Sequence, residues 1–241
     1  MLDAEKIGSI EKMAGGIAHE INSSLMVIMG YGQLLQLQMG KDDLLEEYTR
    51  MILVTAEKTK QFAQNLLMIS GRHINNPKQI TLNELVKRTE TLLPEIVAGS
   101  DIGWELILDD KDDVAVMADC EQMDQLFMHL ATNARDSMPA GGALTITAGI
   151  VELNDAFFKA CSCGSAGLHA VIAFSDTGCG MDEKTKNKIF EPFFTTKDIG
   201  KGKGIGLLIV HGILKKHKGC IKVDTALNKG TVVKIYLPIV S

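Results

Sequence analysis

Four places in this chain carry residue types suited to chemistry. His19 stands in the run Gly15-Gly16-Ile17-Ala18-His19-Glu20-Ile21-Asn22. Imidazole is a good nucleophile near neutral pH, and Glu20 sets a carboxylate beside it. Asp176 closely follows the apolar run Ala170-Val171-Ile172-Ala173-Phe174 and precedes Thr177-Gly178-Cys179-Gly180. A carboxylate at a strand end can accept a hydrogen bond from an exocyclic amine such as that of adenine, and glycines let backbone approach a planar ring. Gly200-Lys201-Gly202-Lys203-Gly204-Ile205-Gly206 runs into a helical pattern. Such a loop frees backbone N–H groups to wrap phosphate, and a helix N-terminus adds a favourable dipole. Asn133 lies at the edge of the apolar stripe Met123, Leu126, Leu130, Ala134. Its amide oxygen is the kind of hard ligand that Mg²⁺ takes. Taken singly, each place has a plainer reading: a solvated histidine, a tight turn, a flexible loop, a polar residue at a domain rim.

The elements that must position these residues follow from periodicity. A helix is expected from about Ala4 to Met39, with Ile7, Ile10, Ala14, Ile17, Ile21, Ser24, Ile28, Tyr31 and Leu35 at three-four spacing. His19 falls about 200° from Ile17 and Ile21, off that seam and toward solvent. Gly40-Lys41-Asp42 reads as a turn, and a second helix runs to about Ser70 with the seam Tyr48, Ile52, Thr55, Thr59, Phe62, Leu66, Ile69. Two helices cannot bury two seams, so the hairpin is expected to pair with a second copy as a four-helix bundle. Packing on its own C-terminal domain is the alternative.

Pro77 and two asparagines punctuate Gly71 to Lys78. The expected division is a helical hairpin at 1–72, a linker at 73–79 and a second domain at 80–241. In that domain Thr81-Leu82-Asn83-Glu84 is a capping box opening a helix to about Leu93. Strands are expected at Trp104–Leu108, Val114–Ala118, Ala143–Glu152, His169–Ser175, Ile221–Thr225 and Val232–Leu237. Helices are expected from Glu121 to Ser137 and from Gly206 to about Lys218. The class is α+β, a sandwich with helices over one face of a mostly antiparallel sheet.

Bulk properties bound the function. The 241 residues are 46% hydrophobic and 23% charged, with a net charge of −5. That balance gives no electrostatic case for nucleic acid or anionic membrane as partner. No apolar run reaches the roughly eighteen residues of a membrane span. The odd set Cys120, Cys161, Cys163, Cys179 and Cys220, without a secretory signal, suggests reduced thiols and a cytoplasmic location. Cys161-Ser162-Cys163 lacks a partnering pair for a metal. The glycine-rich loop is neither a Walker loop nor a dinucleotide fingerprint, and the D-F-G signature of Ser/Thr/Tyr kinases is absent.

In order and spacing, these pieces resemble a sensor histidine kinase core over almost the whole chain. His19-Glu20-Ile21-Asn22 is similar to its H box, Leu126 to Pro139 to its N box, and Asp176 to Gly180 to its first glycine box. Ile189-Phe190-Glu191-Pro192-Phe193-Phe194-Thr195-Thr196-Lys197 is similar to the F box, and Gly200 to Gly206 to the second glycine box. Asn228-Lys229-Gly230-Thr231 resembles the last segment of the nucleotide pocket.

The resemblance implies a dimeric four-helix bundle followed by an ATP-binding sandwich of the gyrase, chaperone and histidine kinase type. It implies that His19 attacks the γ-phosphate of ATP, with Glu20 as general base or as holder of the ring tautomer. Asn133 then ligates Mg²⁺ and Asp176 reads the adenine amine. Gly178, Gly180, Gly202, Gly204, Gly206 and Thr231 shape the pocket. Phe190 and Phe193 anchor a mobile segment, and Lys197 faces phosphate. The phosphoryl group passes to an aspartate of a separate response regulator. Ser23 and Ser24 stand where many relatives carry Asn or Thr and then Pro, and Ser23 is the residue tied to phosphatase activity. His129 replaces a second asparagine, and Asp136 replaces Lys or Arg, which shifts phosphate neutralisation toward Arg135 and Lys197. A catalytically silent nucleotide-binding adaptor and a repair- or chaperone-type ATPase are the competing functions.

Overall fold

Period-two apolar patterning builds the centre of the molecule. A computed structural model of the chain describes residues 21–37, 44–69, 76–108, 114–155, 157, 166–191, 194–197 and 204–240. These residues divide into two units, one ending at Ile74 and the other starting at Asn75.

The first unit contains a helix over 21–37 (α1) and a helix at Leu44–Ile69 (α2). They meet through small residues. A side-chain carbon added at Gly32 would lie 2.8 Å from Leu53 Cδ2, so glycine lets the helices approach. Leu25, Thr49 and Ala56 are buried along the same contact. Thr55 and Thr59 donate back to the carbonyls of Met51 and Thr55, which satisfies hydroxyls in mid-helix. Part of the apolar seam expected to meet a second copy lies open in the single chain. Ile28, Tyr31 and Leu35 on α1 are 46, 68 and 50% exposed, and Tyr48 and Ile52 on α2 are equally open. The contact within the chain uses the neighbouring stripe, because glycine, alanine and threonine pack two backbones closer than large side chains allow. Residues 4–20, with His19 and Glu20, and the turn at 40–42 lie outside the described residues.

In the second unit, β1 (Lys78–Thr81) pairs antiparallel with β3 (Ala115–Ala118), so the expected linker at 73–79 ends before Lys78. Asn76 N–H already donates to Asp119 Oδ2 at 2.8 Å. The capping box forms: Thr81 Oγ1 accepts from Glu84 N–H at 3.2 Å. It opens α3 (Leu82–Lys87), but the helix does not run on smoothly to Leu93. It breaks at Arg88, and α4 (Thr89–Val97) continues past Pro94. At the break, Thr89 Oγ1 donates to Val86 O, and Arg88 pairs with Asp124 of the next helix.

The main sheet has the order β2 (Ile102–Ile107), β4 (Gly142–Leu153), β5 (Gly167–Asp176), β7 (Thr231–Pro238), β6 (Cys220–Thr225). Only the β2–β4 pair is parallel. Three further helices are α5 (Cys120–Ser137), α6 (Glu183–Lys186) and α7 (Gly206–Lys216). Helix α5 packs on α4, α7 and β5. Its Met123, Leu126, Phe127 and Leu130 are buried, and the Phe127 ring stacks on Phe174 of β5 at 5.8 Å. The α5 N-cap is Asp119, which accepts from Gln122 N–H. Asp119 N–H in turn donates to His217 Nε2 at 3.0 Å, and His217 Nδ1 bonds Ile213 O at 2.8 Å. Burial depresses the His217 pKa, so a neutral ring ties the end of α7 to the start of α5.

Two glycines of α1 separate packing from helix propensity. Gly30→Ala adds a carbon with nothing within 4 Å and is expected to raise the melting temperature of the hairpin, since alanine gains about 1 kcal/mol in a helix interior. Gly32→Val is expected to lower it through the Leu53 contact. Calorimetry of the full chain checks both, and equal signs for the pair would contradict the packing.

Candidate functional site

Asp176 ends the central strand β5 as the pattern of its strand requires, and three donors converge on one of its oxygens. Oδ1 accepts from Gly178 N–H at 2.9 Å, Ser137 Oγ at 3.1 Å and Thr231 N–H at 3.2 Å. Burial pushes the carboxyl pKa up, and these hydrogen bonds only partly pull it back. Oδ2 has no partner among the described residues, so a fixed, half-buried acceptor is left facing outward.

The turn beyond β5 is packed to backbone contact. A side-chain carbon at Gly178 would overlap Ser137 Oγ and lie 2.8 Å from Asp176 Oδ1. Gly180 has φ +61°, and a carbon there would strike the carbonyl of Ala226. Cys179 N–H donates to Ser137 O at 3.0 Å, and its carbonyl accepts from Asn228 N–H at 2.7 Å. The end of α5, the turn after β5 and the β6–β7 connection are thereby fixed around one carboxylate.

Helix α5 carries a polar rail away from that point. His129, Asn133 and Ser137 are spaced by four residues, so they share a face and climb about 6 Å per step. Asn133 is half-buried. A carbon on Gly206, the first residue of α7, would lie 3.6 Å from His129 Nδ1 and 3.9 Å from Asn133 Nδ2. His129 Nε2 is buried with no hydrogen-bond partner, and burial lowers the ring pKa to about 4. The amide of Asn133 also carries an oxygen, the kind of ligand a hard divalent cation takes.

Next to the rail lies an ion-pair cluster. Lys197 Nζ donates to Asp136 Oδ2 at 2.5 Å. Arg135 donates to Asp136 Oδ1 from Nε at 2.9 Å and from Nη2 at 2.7 Å, and its Nη1 reaches Ile96 O at 3.1 Å. Burial alone would raise the Asp136 pKa, but Lys197 and Arg135 together hold it below the usual carboxylate range. Lys197 and Arg135, expected to face phosphate, are thus engaged by the acidic residue between them.

The structure brings Asp176, Gly178, Gly180 and Thr231 to one end of α5 and sets Asn133 beside Gly206 further along it. Gly204 precedes α7 with φ +64°. Phe190 leans on His211 of α7, with ring centroids 6.1 Å apart. Ser23 is exposed on α1. His19, Glu20, Phe193 and Gly202 lie outside the described residues, as do Cys161 and Cys163. No group of three His, Cys, Asp or Glu residues that could hold a metal occurs among the described residues. No described helix is long and apolar enough to cross a membrane. Sequence patterns did not mark Ser137 or Thr225. Thr225 Oγ1 accepts from Met181 N–H and meets Gly230 O and Thr231 Oγ1, each at 3.0 Å. Short hydroxyls at element ends leave no periodic signal.

Comparison with known proteins adds an independent line. Residues 118–241 match the family described as histidine kinase-, DNA gyrase B-, and HSP90-like ATPase. Sensor kinase CckA of Brucella abortus (strain 2308) is 36% identical over 239 residues, covering 99% of this chain and 25% of that protein. Full-length ShkA in complex with AMPPNP superposes with a TM-score of 0.71 at 18% identity, over 95% of this chain and 46% of that one. Histidine kinase ThkA in complex with response regulator protein TrrA gives 0.59 at 22% identity, over 98% and 64%. At those identities the two structures speak to fold alone. The chain spans a quarter to about half the length of the curated relatives it matches most strongly.

Asp136→Asn tests the ion-pair cluster. The folded carboxyl has a depressed pKa, so its stabilisation is present above the ordinary value of about 4 and lost as pH falls through the lower folded one. Urea unfolding at neutral pH is expected to show a loss of about 1–2 kcal/mol in the variant. The gap should close on acidification, and a gap that stays constant with pH would contradict the pairing.

Proposed function

The chain belongs to the histidine kinase-, DNA gyrase B- and HSP90-like ATPase family and is a histidine kinase catalytic core; on that premise we propose that it phosphorylates its own His19 from ATP and passes the phosphoryl group to an aspartate of a separate response regulator. The observation that carries the nucleotide half is Asp176, whose Oδ1 is held by three donors while Oδ2 stays open to accept from the amine of adenine. The glycine turn beside it is closed by protein contacts at Gly178 and Gly180, which fixes the carboxylate in place. Along α5, Asn133 lies about 6 Å beyond Ser137 in the direction a triphosphate extends. Asn133 is the residue to hold Mg²⁺, whose chemistry when bound is to neutralise charge on phosphate oxygens.

In the transfer, a ring nitrogen of His19 forms the N–P bond, the bond from the γ-phosphorus to the bridging oxygen breaks, and ADP leaves. The ring proton goes to Glu20. Most of the rate comes from positioning and charge stabilisation, because phosphoryl transfer asks for little covalent help from the protein. Phe190 anchors the root of the segment after β5 against α7. Lys197 is released to the phosphates only by exchanging its Asp136 partner. Ser23, exposed near the start of the described part of α1, is the residue to orient water for dephosphorylation of the regulator.

The apolar row of Ile28, Tyr31, Leu35, Tyr48 and Ile52 supports a homodimer, since a second copy of the hairpin would bury it. The relatives' names and the TrrA complex support the regulator as partner.

Incubation with γ-labelled ATP and Mg²⁺ is expected to give acid-labile label on the wild-type chain and none on His19→Gln. Asp176→Asn should lower ATP affinity by more than about 10-fold, the scale of losing a buried charged hydrogen bond. Label that persists on His19→Gln defeats the kinase reading; nucleotide binding without any label leaves the adaptor. Sedimentation of Tyr31→Asp/Ile52→Glu is expected to show monomer where the wild type is a dimer.

A further inference from the structure

A second buried polar node lies at the far end of α5 from Asp176, and the nucleotide reading does not use it. Asn76 is the second residue of the second unit, and its N–H donates to Asp119 Oδ2 at 2.8 Å. Asp119 Oδ1 accepts from Gln122 N–H at 3.2 Å, which caps α5. Asp119 N–H donates to His217 Nε2 at 3.0 Å, and His217 Nδ1 bonds Ile213 O at 2.8 Å. Asp119 and His217 are each more than nine-tenths buried. Gln122 is buried too, and its Oε1 has no partner among the described residues, so the node is one bond short of saturation. The entry of the chain into the unit, the start of α5 and the end of α7 are thus held by two adjoining side chains.

This pattern admits one protonation state of the ring. Nε2 accepts, so Nδ1 carries the proton and the imidazole is neutral. A second proton would go on Nε2, where it would oppose the N–H of Asp119. Two donors cannot share that bond, so the ring or the Asp119 backbone must turn. Turning Asp119 carries with it the carboxylate that grips Asn76. The charged groups facing the ring are Asp119, whose carboxylate favours the imidazolium, and Lys216, its neighbour on α7, which opposes it. Burial outweighs both and disfavours the imidazolium. Helix α7 also packs on β6, whose Ile221 and Val223 lie on the apolar side of the sheet, in register with Ile235 and Val233. Strand β3, which leads into Asp119, is Ala115-Val116-Met117-Ala118 and brings no charge.

We propose that His217 is a proton-operated lock on the entry of the chain into the second unit: the neutral ring holds Asp119 where it grips Asn76, and the protonated ring lets Asn76 go. The sign follows from linkage. The open form takes up the proton at the ordinary imidazole value of about 6.5, and the closed form only at a lower pH. The closed-to-open ratio is therefore constant above about pH 6.5 and falls by up to about tenfold for each pH unit below it. Asp119 keeps its charge through this window, since its own pKa is held below the usual carboxylate value by the N–H groups of Asn76 and Gln122 against the cost of burial.

Amide hydrogen exchange of the full chain, read residue by residue by NMR and corrected for the intrinsic rate, tests the lock. The His217 ring is titrated in the same samples. Protection of the Asn76 and Asp119 amides is expected to be flat above about pH 7 and about tenfold lower at pH 5.5 than at 6.5. The Gly141 amide, bonded to Met138 O beyond the other end of α5, is expected to show no such fall. In His217→Gln, whose oxygen can accept but does not titrate, the pH dependence at Asn76 is expected to vanish. Should that variant fail to fold, the wild type decides alone. Asn76 protection that is absent at every pH, or flat down to pH 5.5, overturns the proposal. An equal fall at Gly141, or the same fall at Asn76 in His217→Gln, overturns it too and assigns the effect to another group.

Discussion

A carboxylate inside a protein must be compensated, and the second unit is arranged around one. Asp176 sits at the end of the central strand, and burial works against its charge. Compensation comes from three separate chain segments: the turn after β5, the last turn of α5 and the start of β7. Each donor is available only if its own segment is in register. The β5–β7 ladder pairs Asp176 with Thr231, which delivers the third N–H. The carbonyl of Ser137 accepts from Cys179, which closes the turn onto α5. The same three bonds that make the charge tolerable also aim its free oxygen outward. The recognition proposed for Asp176 thus uses the arrangement that stabilises its charge.

Helix α5 then has two duties that its sequence must reconcile. One face supplies Met123, Leu126, Phe127 and Leu130 to the core. Another supplies His129, Asn133 and Ser137 at four-residue spacing. Fixing the first face fixes the second, because a helix packed at 3.6 residues per turn cannot rotate one without the other. The bonds joining Asp119, His217 and Ile213 hold α7 against the far end of α5.

What the sequence revealed divides along physical lines. The strands of the main sheet and α5 were legible because alternation and three-four spacing record burial directly, whereas β1 (Lys78–Thr81) fell in the expected linker and capping box. Gly178, Gly180 and Gly230 were legible because backbone crowding there admits no side chain, and Asp176 because a carboxylate follows an apolar strand. The hydroxyls of Ser137 and Thr225 were not, since serine and threonine at element ends serve many purposes. Nor was the break at Arg88, which depends on an aspartate of another helix. The contact inside the hairpin left no such mark. Large apolar residues dominate a periodicity count, while the close approach is made by Gly32, Thr49 and Ala56.

Asp136 shows how a substitution that looks adverse is absorbed. An acidic group near the proposed phosphate contact would by itself repel the ligand. In this chain the carboxylate is bridged by Arg135 and Lys197, so the cluster of three carries a net positive charge. Arg135 is further held by the carbonyl of Ile96, which leaves Lys197 as the mobile partner of the two. On the proposed nucleotide reading, a triphosphate would meet a cation already oriented by Asp136. Because exchanging one oxygen partner for another leaves the number of charge-assisted bonds unchanged, an acidic residue so paired is compatible with the phosphate contact proposed for Lys197.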